Sequence, residues 1–215
     1  MARILVACEE SQAITKAFRD LGHDAFSCDL LPCSGGHEEW HLKGDVFTFI
    51  NMGWDLMIAH PPCTYLAVSG ARHLYNKDGS INEERLKNQK EALLFVKQLM
   101  DAPINKIAIE NPISVISSQI KKPTQIVQPY FFGDKATKST CLWLKNLPKL
   151  EPTNIVEKGE FKEWKDRKTG KLKRQAVWYY EALLKAKSTA ERRTLRSKTF
   201  LGMAQAIAEQ WGKLL

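Results

Sequence analysis

The sequence predicts an α/β protein built on a doubly wound sheet. Three observations carry this. Short apolar runs rich in β-formers recur along the chain. Amphipathic helical stretches alternate with them. The chemically distinctive residues fall just past the ends of the apolar runs, where open α/β sheets bind ligands. A length of 215 residues fits one such domain with a small appended lobe, and 44% apolar residues suffice for a full core.

The elements follow in order. Residues 3–8 are a first strand. A helix over 12–21 places Ala13, Ile14, Ala17, Phe18 and Leu21 on one face, with Ser11 as cap and Gly22 as stop. Residues 24–29 form a second strand ending in Asp29, which completes a βαβ-type unit of about 30 residues. Residues 54–59 are a third apolar run, halted by His60-Pro61-Pro62. A long amphipathic helix covers 83–101, with Leu86, Ala92, Leu93, Phe95, Val96 and Leu99 on its apolar side. Residues 106–109 are a strand stopped by Glu110-Asn111-Pro112; 140–144 are a later strand and 204–214 a closing helix. Residues 161–180 read as a basic hairpin with a Gly-containing turn and aromatic arms. The organisation is then a body over 1–150, a small basic lobe over 151–198, and a closing helical segment over 199–215.

Charge is concentrated in the lobe. Residues 151–200 carry 14 Lys/Arg against 7 Asp/Glu, a net +7 of the chain's +8. A near-neutral body with a basic segment points to a polyanion such as nucleic acid. No apolar run of about 18 residues is present, so no membrane span is expected, and the N-terminal stretch lacks the features of a signal peptide. The expected location is the cytoplasm, where the five cysteines stay reduced.

Three constellations carry chemistry. Cys63 follows two prolines at the end of a buried strand, a stiff presentation that a packing residue does not need; a cysteine nucleophile acts as the thiolate. Glu110 ends another apolar strand, where a carboxylate can bond a base edge or act as an acid. Asp29 ends strand two, where nucleotide-type cofactors present ribose hydroxyls to an acid. Asp45 after Gly44 is either a further cofactor contact or a helix N-cap. Cys28, Cys33, His37 and His41 are zinc-ligand types, but their spacing departs from zinc patterns, so a polar loop and no metal are expected.

These residues resemble DNA cytosine C5-methyltransferases, in the short form found in phages and prophages. His60-Pro61-Pro62-Cys63, continuing Thr64-Tyr65-Leu66, is similar to the family's proline-proline-cysteine motif. Glu110-Asn111-Pro112 is similar to its glutamate-asparagine-valine motif, with Pro in place of Val. Ala7-Cys8-Glu9-Glu10-Ser11 approximates the first motif, and residues 17–23 the helix that follows. Asp29 and Gly44-Asp45-Val46 match its acidic strand end and its adenine-binding aspartate. Phe132-Gly133-Asp134 with Lys138-Ser139-Thr140 resembles a Gln-x-Arg-x-Arg motif in which only the charge of Lys138 survives. Phe200-Leu201-Gly202-Met203-Ala204 resembles the closing cofactor motif. The resemblance covers nearly the whole chain in the family's order.

The resemblance implies a Rossmann-like S-adenosylmethionine-dependent methyltransferase fold with a small basic C-terminal insertion. It implies Cys63, Glu110 and Lys138 as catalytic residues. It implies Ala7, Cys8, Glu9, Ser11, Asp29, Leu30, Asp45, Val46, His60, Pro61, Gly202 and Ala204 around S-adenosylmethionine. DNA is the expected partner, gripped by Lys165, Arg167, Lys168, Lys171, Lys173, Arg174, Arg196 and Lys198 of the lobe. A monomer in a phage- or prophage-bearing bacterial host is expected. Cys63 would add to C6 of a flipped-out or single-stranded cytosine, and Glu110 would bond N3 and the exocyclic amine. Two rivals stand beside this. Amino-methyltransferases carry Asp/Asn-Pro-Pro-aromatic, which His60 and Cys63 contradict. A non-catalytic DNA- or cofactor-binding relic would account for the eroded first loop and the lost arginines. Trp164, Trp178, Tyr179 and Tyr180 are expected to form the small core of the hairpin rather than to stack on bases.

Overall fold

The computed structural model describes residues 1–197 and 199–215. Among these, seven strands form one sheet in the order β3-β2-β1-β4-β5-β7-β6. They are β1 (Arg3–Ala7), β2 (Asp24–Asp29), β3 (His41–Lys43), β4 (Leu56–Ala59), β5 (Lys106–Pro112), β6 (Gln125–Val127) and β7 (Thr140–Lys145). The first five run parallel, and β7 is antiparallel to both β5 and β6. The helices are α1 (Ala13–Asp20), α2 (Val46–Phe49), α3 (Glu83–Met100), α4 (Ile116–Gln119), α5 (Val177–Lys185), α6 (Thr189–Ser197) and α7 (Leu201–Gly212). A separate hairpin, β8 (Phe161–Lys165) and β9 (Leu172–Ala176), precedes α5. The body is the doubly wound, Rossmann-like α/β arrangement that the sequence predicts.

Alternation along the central strands explains why they read as unbroken apolar runs. Ile4, Val6, Leu56, Ile58 and Ala108 face Ile14 and Phe18 of α1 and Met203, Ile207 and Trp211 of α7. Leu5, Ala7, Met57, Ala59, Ile107 and Ile109 face Val46 of α2 and Val96 and Leu99 of α3. A parallel sheet is covered on both faces, so both sets of side chains are apolar. The chain lays β1, β2 and β3 outward in one direction, then returns to place β4 on the other side of β1. The order reverses between β1 and β4, and a ligand crevice belongs beyond their carboxyl ends, at Ala7 and Ala59.

Four local expectations change. The N-cap of α1 is Gln12 rather than Ser11. The capping oxygens come from Glu9, which is 3% exposed. Glu9 Oε1 accepts from the Ile14 amide at 2.7 Å, and Oε2 accepts from the Thr15 amide and hydroxyl at 3.3 and 2.7 Å. Cys8 and Gln12 both adopt φ near +59°, a left-handed conformation usually left to glycine. Gln12 is fixed there by bonds from its side chain to the His37 backbone. Second, β5 runs on through Pro112, because β7 pairs Glu110, Asn111 and Pro112 with Leu142, Cys141 and Thr140. Third, the expected second aromatic arm is not a strand. The Val177 amide closes the hairpin onto the Glu160 carbonyl, and Trp178 and Ala182, four residues apart, turn one face of α5 inward. Fourth, α7 starts at Leu201. Gly202 is required there, since a Cβ would stand 1.9 Å from the Phe132 carbonyl oxygen.

Glu9→Ala leaves the α1 amides buried without acceptors. It should destabilise the protein by about 2 kcal/mol and lower Tm by roughly 4–8 °C. Ser11→Ala should stay within about 0.5 kcal/mol. Thermal melts of both variants check this, and equal losses would contradict the assignment of the cap.

Candidate active site

The loop after β4 is pinned at several points. The His60 amide donates to the Ala7 carbonyl at 2.9 Å, tying the loop to the end of β1. Asn111 Nδ2 donates to the Pro61 carbonyl at 2.8 Å from the end of β5. The Cys63 carbonyl accepts from the amides of Leu66 and Ala67 at 3.0 and 2.9 Å, and Leu66 is anchored in the core. From α3, Arg85 donates to the Thr64 carbonyl and Gln89 to the Tyr65 carbonyl. Cys63 itself stays exposed, and it lines a cleft of about 2540 Å³ over the strand ends.

The parallel register Ala59 to Ile109 sets the next residues, His60 and Glu110, side by side. His60 Nδ1 lies 3.0 Å from Glu110 Oε2, with the two side chains 13% and 14% exposed. The hydrogen bond between His60 Nδ1 and Glu110 Oε2 orients both side chains. The remaining polar atoms, His60 Nε2 and Glu110 Oε1, are buried with no hydrogen-bond partner among the described residues. Such orphaned atoms mark a place where a ligand or water belongs. Burial pushes the Glu110 carboxyl up, but the His60 bond, the charge of Lys138 and that of His60 outweigh it, and the net pKa is lowered. Burial is the largest influence on Cys63 and raises its thiol; Glu110 raises it further, while Lys138 and a backbone bond pull the other way. Lys138 therefore acts on both groups. Its amide donates to Gln128 Oε1 at 2.9 Å, and Gln128 Nε2 donates to the Ser139 hydroxyl at 2.9 Å.

The residues expected around a cofactor divide. Cys8, Glu9, Ser11, Asp29, His60, Pro61 and Ala204 line the cleft. Glu9 spends its carboxylate on α1. Burial, then Asp29, Cys28 and Asp45, push the Cys8 thiol up to about 12, so these acids stand near the β1 turn. Asp29 Oδ1 accepts from the Leu31 amide at 2.9 Å. Asp45 Oδ1 caps α2 through the Phe47 amide at 3.0 Å. Ala7 and Val46 are core residues, Leu30 is 72% exposed, and the Gly202 amide donates to Asp134. Cys28 contacts the Gly44 carbonyl, both ring nitrogens of His41 are bonded, and His37 pairs with Glu39. No metal-holding group of three such residues occurs among the described residues.

Of the lobe cations expected to grip DNA, Arg174 and Arg196 line the cleft. Arg174 stacks over Phe161 at 3.8 Å and approaches Glu163. Lys173 pairs with Asp166, which also bonds Lys168 and Thr169 backbone amides and so shapes the hairpin turn. Lys165, Arg167, Lys168 and Lys171 lie at or beside that turn and are not among the residues that line the cleft. Lys198 lies outside the described residues. Trp164 is 38% exposed; Tyr180 packs on the hairpin under Lys162, whereas Trp178 bonds Thr137 and Tyr179 lies under Arg196. Gln128, Arg85, Arg72 and Arg192, all at the cleft, carried no sequence signal.

No family model matches the chain, and no curated protein matches it by sequence. Solved structures similar to it include the Dnmt2 methyltransferase of S. pombe, at 15% identity and a TM-score of 0.41, over 69% of this chain and 50% of that one. Another is described as a DNA modification methyltransferase encoded within an E. coli prophage, at 12% identity and a TM-score of 0.43, over 85% of this chain and 64% of that one. The chain thus spans half to just under two-thirds of the length of these structures.

The charges around Cys63 make its reactivity a direct readout of the site. Alkylation of Cys63, followed by peptide mass spectrometry, should rise only toward alkaline pH. Glu110→Gln removes a like charge and should move the profile to lower pH; Lys138→Gln removes an opposing charge and should move it higher. Profiles unmoved by both substitutions would contradict the arrangement.

Proposed function

We propose that the protein methylates C5 of cytosine in DNA, with S-adenosylmethionine as donor. The observation that carries this reading is the convergence of an exposed Cys63 thiol, the cationic Lys138, and a Glu110 whose one oxygen is fixed by His60 and whose other is buried and unpartnered. Cytosine C5 is a weak nucleophile. Addition of the Cys63 thiolate to C6 makes C5 electron-rich. Glu110 Oε1 accepts from the exocyclic amine and holds the ring while charge develops on it. Once C5 carries the methyl group, loss of the C5 proton to solvent and expulsion of the Cys63 thiolate restore the aromatic ring.

The electrostatics link binding to activation. Burial first, and then the Glu110 charge, raise the Cys63 thiol in the free protein. Hydrogen bonds from a base neutralise part of that charge, so the thiol ionises more readily once the base is seated. The β1–β4 crevice fits the donor's chemistry: Asp29 and Asp45 bring negative charge beside Cys8, favouring a sulfonium cation, and Asp29 offers an acid to ribose hydroxyls. Leu30, exposed beside Asp29, supplies apolar surface for a base. When bound, S-adenosylmethionine supplies the methyl group. DNA enters as a flipped-out or single-stranded cytosine, with the lobe arginines meeting phosphate.

Tritiated methyl transfer to DNA, followed by nucleoside analysis, tests this. Label should appear as 5-methylcytosine, and Cys63→Ser should lower it by roughly 10³-fold or more. Label in an exocyclic amine, insensitive to Cys63, would overturn the reading.

A further inference from the structure

Beyond the pyrimidine site lies a second, cationic feature of the cleft. Arg196 of α6 stands over the Tyr179 ring, its guanidinium carbon 3.7 Å from the ring centroid. Stacking of this kind holds the guanidinium in one orientation while leaving its edge free for an anion. Tyr179 packs edge-on to Trp178 at 5.5 Å, and Trp178 packs edge-on to Phe200 at 5.4 Å. Lys138 Nζ sits over the Phe200 ring at 6.0 Å. One aromatic cluster thus carries two cations, and one of them, Lys138, already acts on Cys63 and Glu110.

Two further observations point to a ligand. Arg196 Nε and Thr137 Oγ1 are both buried with no hydrogen-bond partner among the described residues. Thr137 belongs to the same cluster, because Trp178 Nε1 donates to its carbonyl at 3.2 Å. Arg196 and Thr137, each with an orphaned donor, line the same cleft as Lys138, and a small oxyanion with several acceptor oxygens matches such a set.

We propose that Arg196, Thr137 and Lys138 form a phosphate subsite for the nucleotide whose base reaches Cys63. This deepens the proposed function and rests on its pyrimidine site. The shared ligand chemistry is a phosphate ester on a cytosine nucleotide, either in a DNA strand or as a free monophosphate. The lobe then contributes more than nonspecific grip: through the aromatic cluster it sets the distance between phosphate and base.

The experiment measures protection of Cys63 from alkylation by deoxycytidine, by deoxycytidine monophosphate, and by a 12-residue oligodeoxycytidine. In the wild type the monophosphate should protect at about tenfold lower concentration than the nucleoside. Arg196→Gln should erase that difference and leave nucleoside protection unchanged; Arg196→Lys should restore it in part. A monophosphate advantage that survives Arg196→Gln would overturn the subsite. Protection by the oligonucleotide with no advantage for the monophosphate over the nucleoside would overturn the free nucleotide as ligand. The strand is tested separately by binding of the oligonucleotide across a salt series. Arg196→Gln should reduce the slope of log affinity against log salt by about 0.7. Tyr179→Leu, which keeps the charge but removes the platform, should weaken binding severalfold. Unchanged binding in both variants would overturn the subsite even if neither nucleoside nor monophosphate protects Cys63, whereas the latter result alone would count against the pyrimidine site.

Discussion

The end of β5 holds the end of β4. Asn111 donates to the Pro61 carbonyl, and Glu110 bonds His60, so two consecutive residues of one strand fix the first two residues beyond its neighbour. The parallel register makes this pairing unavoidable, because Ala59 opposite Ile109 leaves His60 opposite Glu110. The prolines then carry a stiff chain to Cys63, and Leu66 re-enters the core just beyond it. The position of the thiol, the orientation of the carboxylate and the free oxygen that faces the site all follow from that register. His60 acts here as a positioning residue, holding one Glu110 oxygen so that the other stays available.

Electrostatics and packing meet at the same point. Glu110 keeps its charge despite burial because His60 and Lys138 oppose the loss of solvent. That charge adds to burial in raising the Cys63 thiol. Lys138 reaches both groups from a segment far along the chain, held by Gln128 on one side and by the cluster of Phe200, Trp178 and Tyr179 on the other. The basic lobe meets the site through these aromatic contacts and through the Trp178–Thr137 bond.

The fold was legible because a two-faced parallel sheet writes itself as apolar runs, as in 4–7, 56–59 and 107–109. Cys63 and Glu110 stand out in the sequence because they follow those runs directly, and both line the cleft. Features that depend on distant partners were not. Glu9 reads as a cleft carboxylate, yet it folds back under α1. The end of β5 could not be placed without β7, which pairs with it from some 30 residues on. Trp178 and Tyr179 fit a strand pattern locally, and only their contacts with Thr137 and Arg196 make sense of them as helix. Gln128 and Arg85 bond backbone carbonyls or amides of other loops, a role that leaves no pattern in sequence.

The central claim, a covalent bond from Cys63 to a cytosine ring, is tested most directly with DNA containing 5-fluorocytosine. Fluorine at C5 cannot leave as a proton, so an adduct that forms cannot resolve. With S-adenosylmethionine present, the account predicts a stable protein–DNA conjugate whose mass maps to the Cys63 peptide and which is absent in Cys63→Ser. Methylation of ordinary DNA with no trapped conjugate on the fluorinated strand, or a conjugate on another residue, would contradict it.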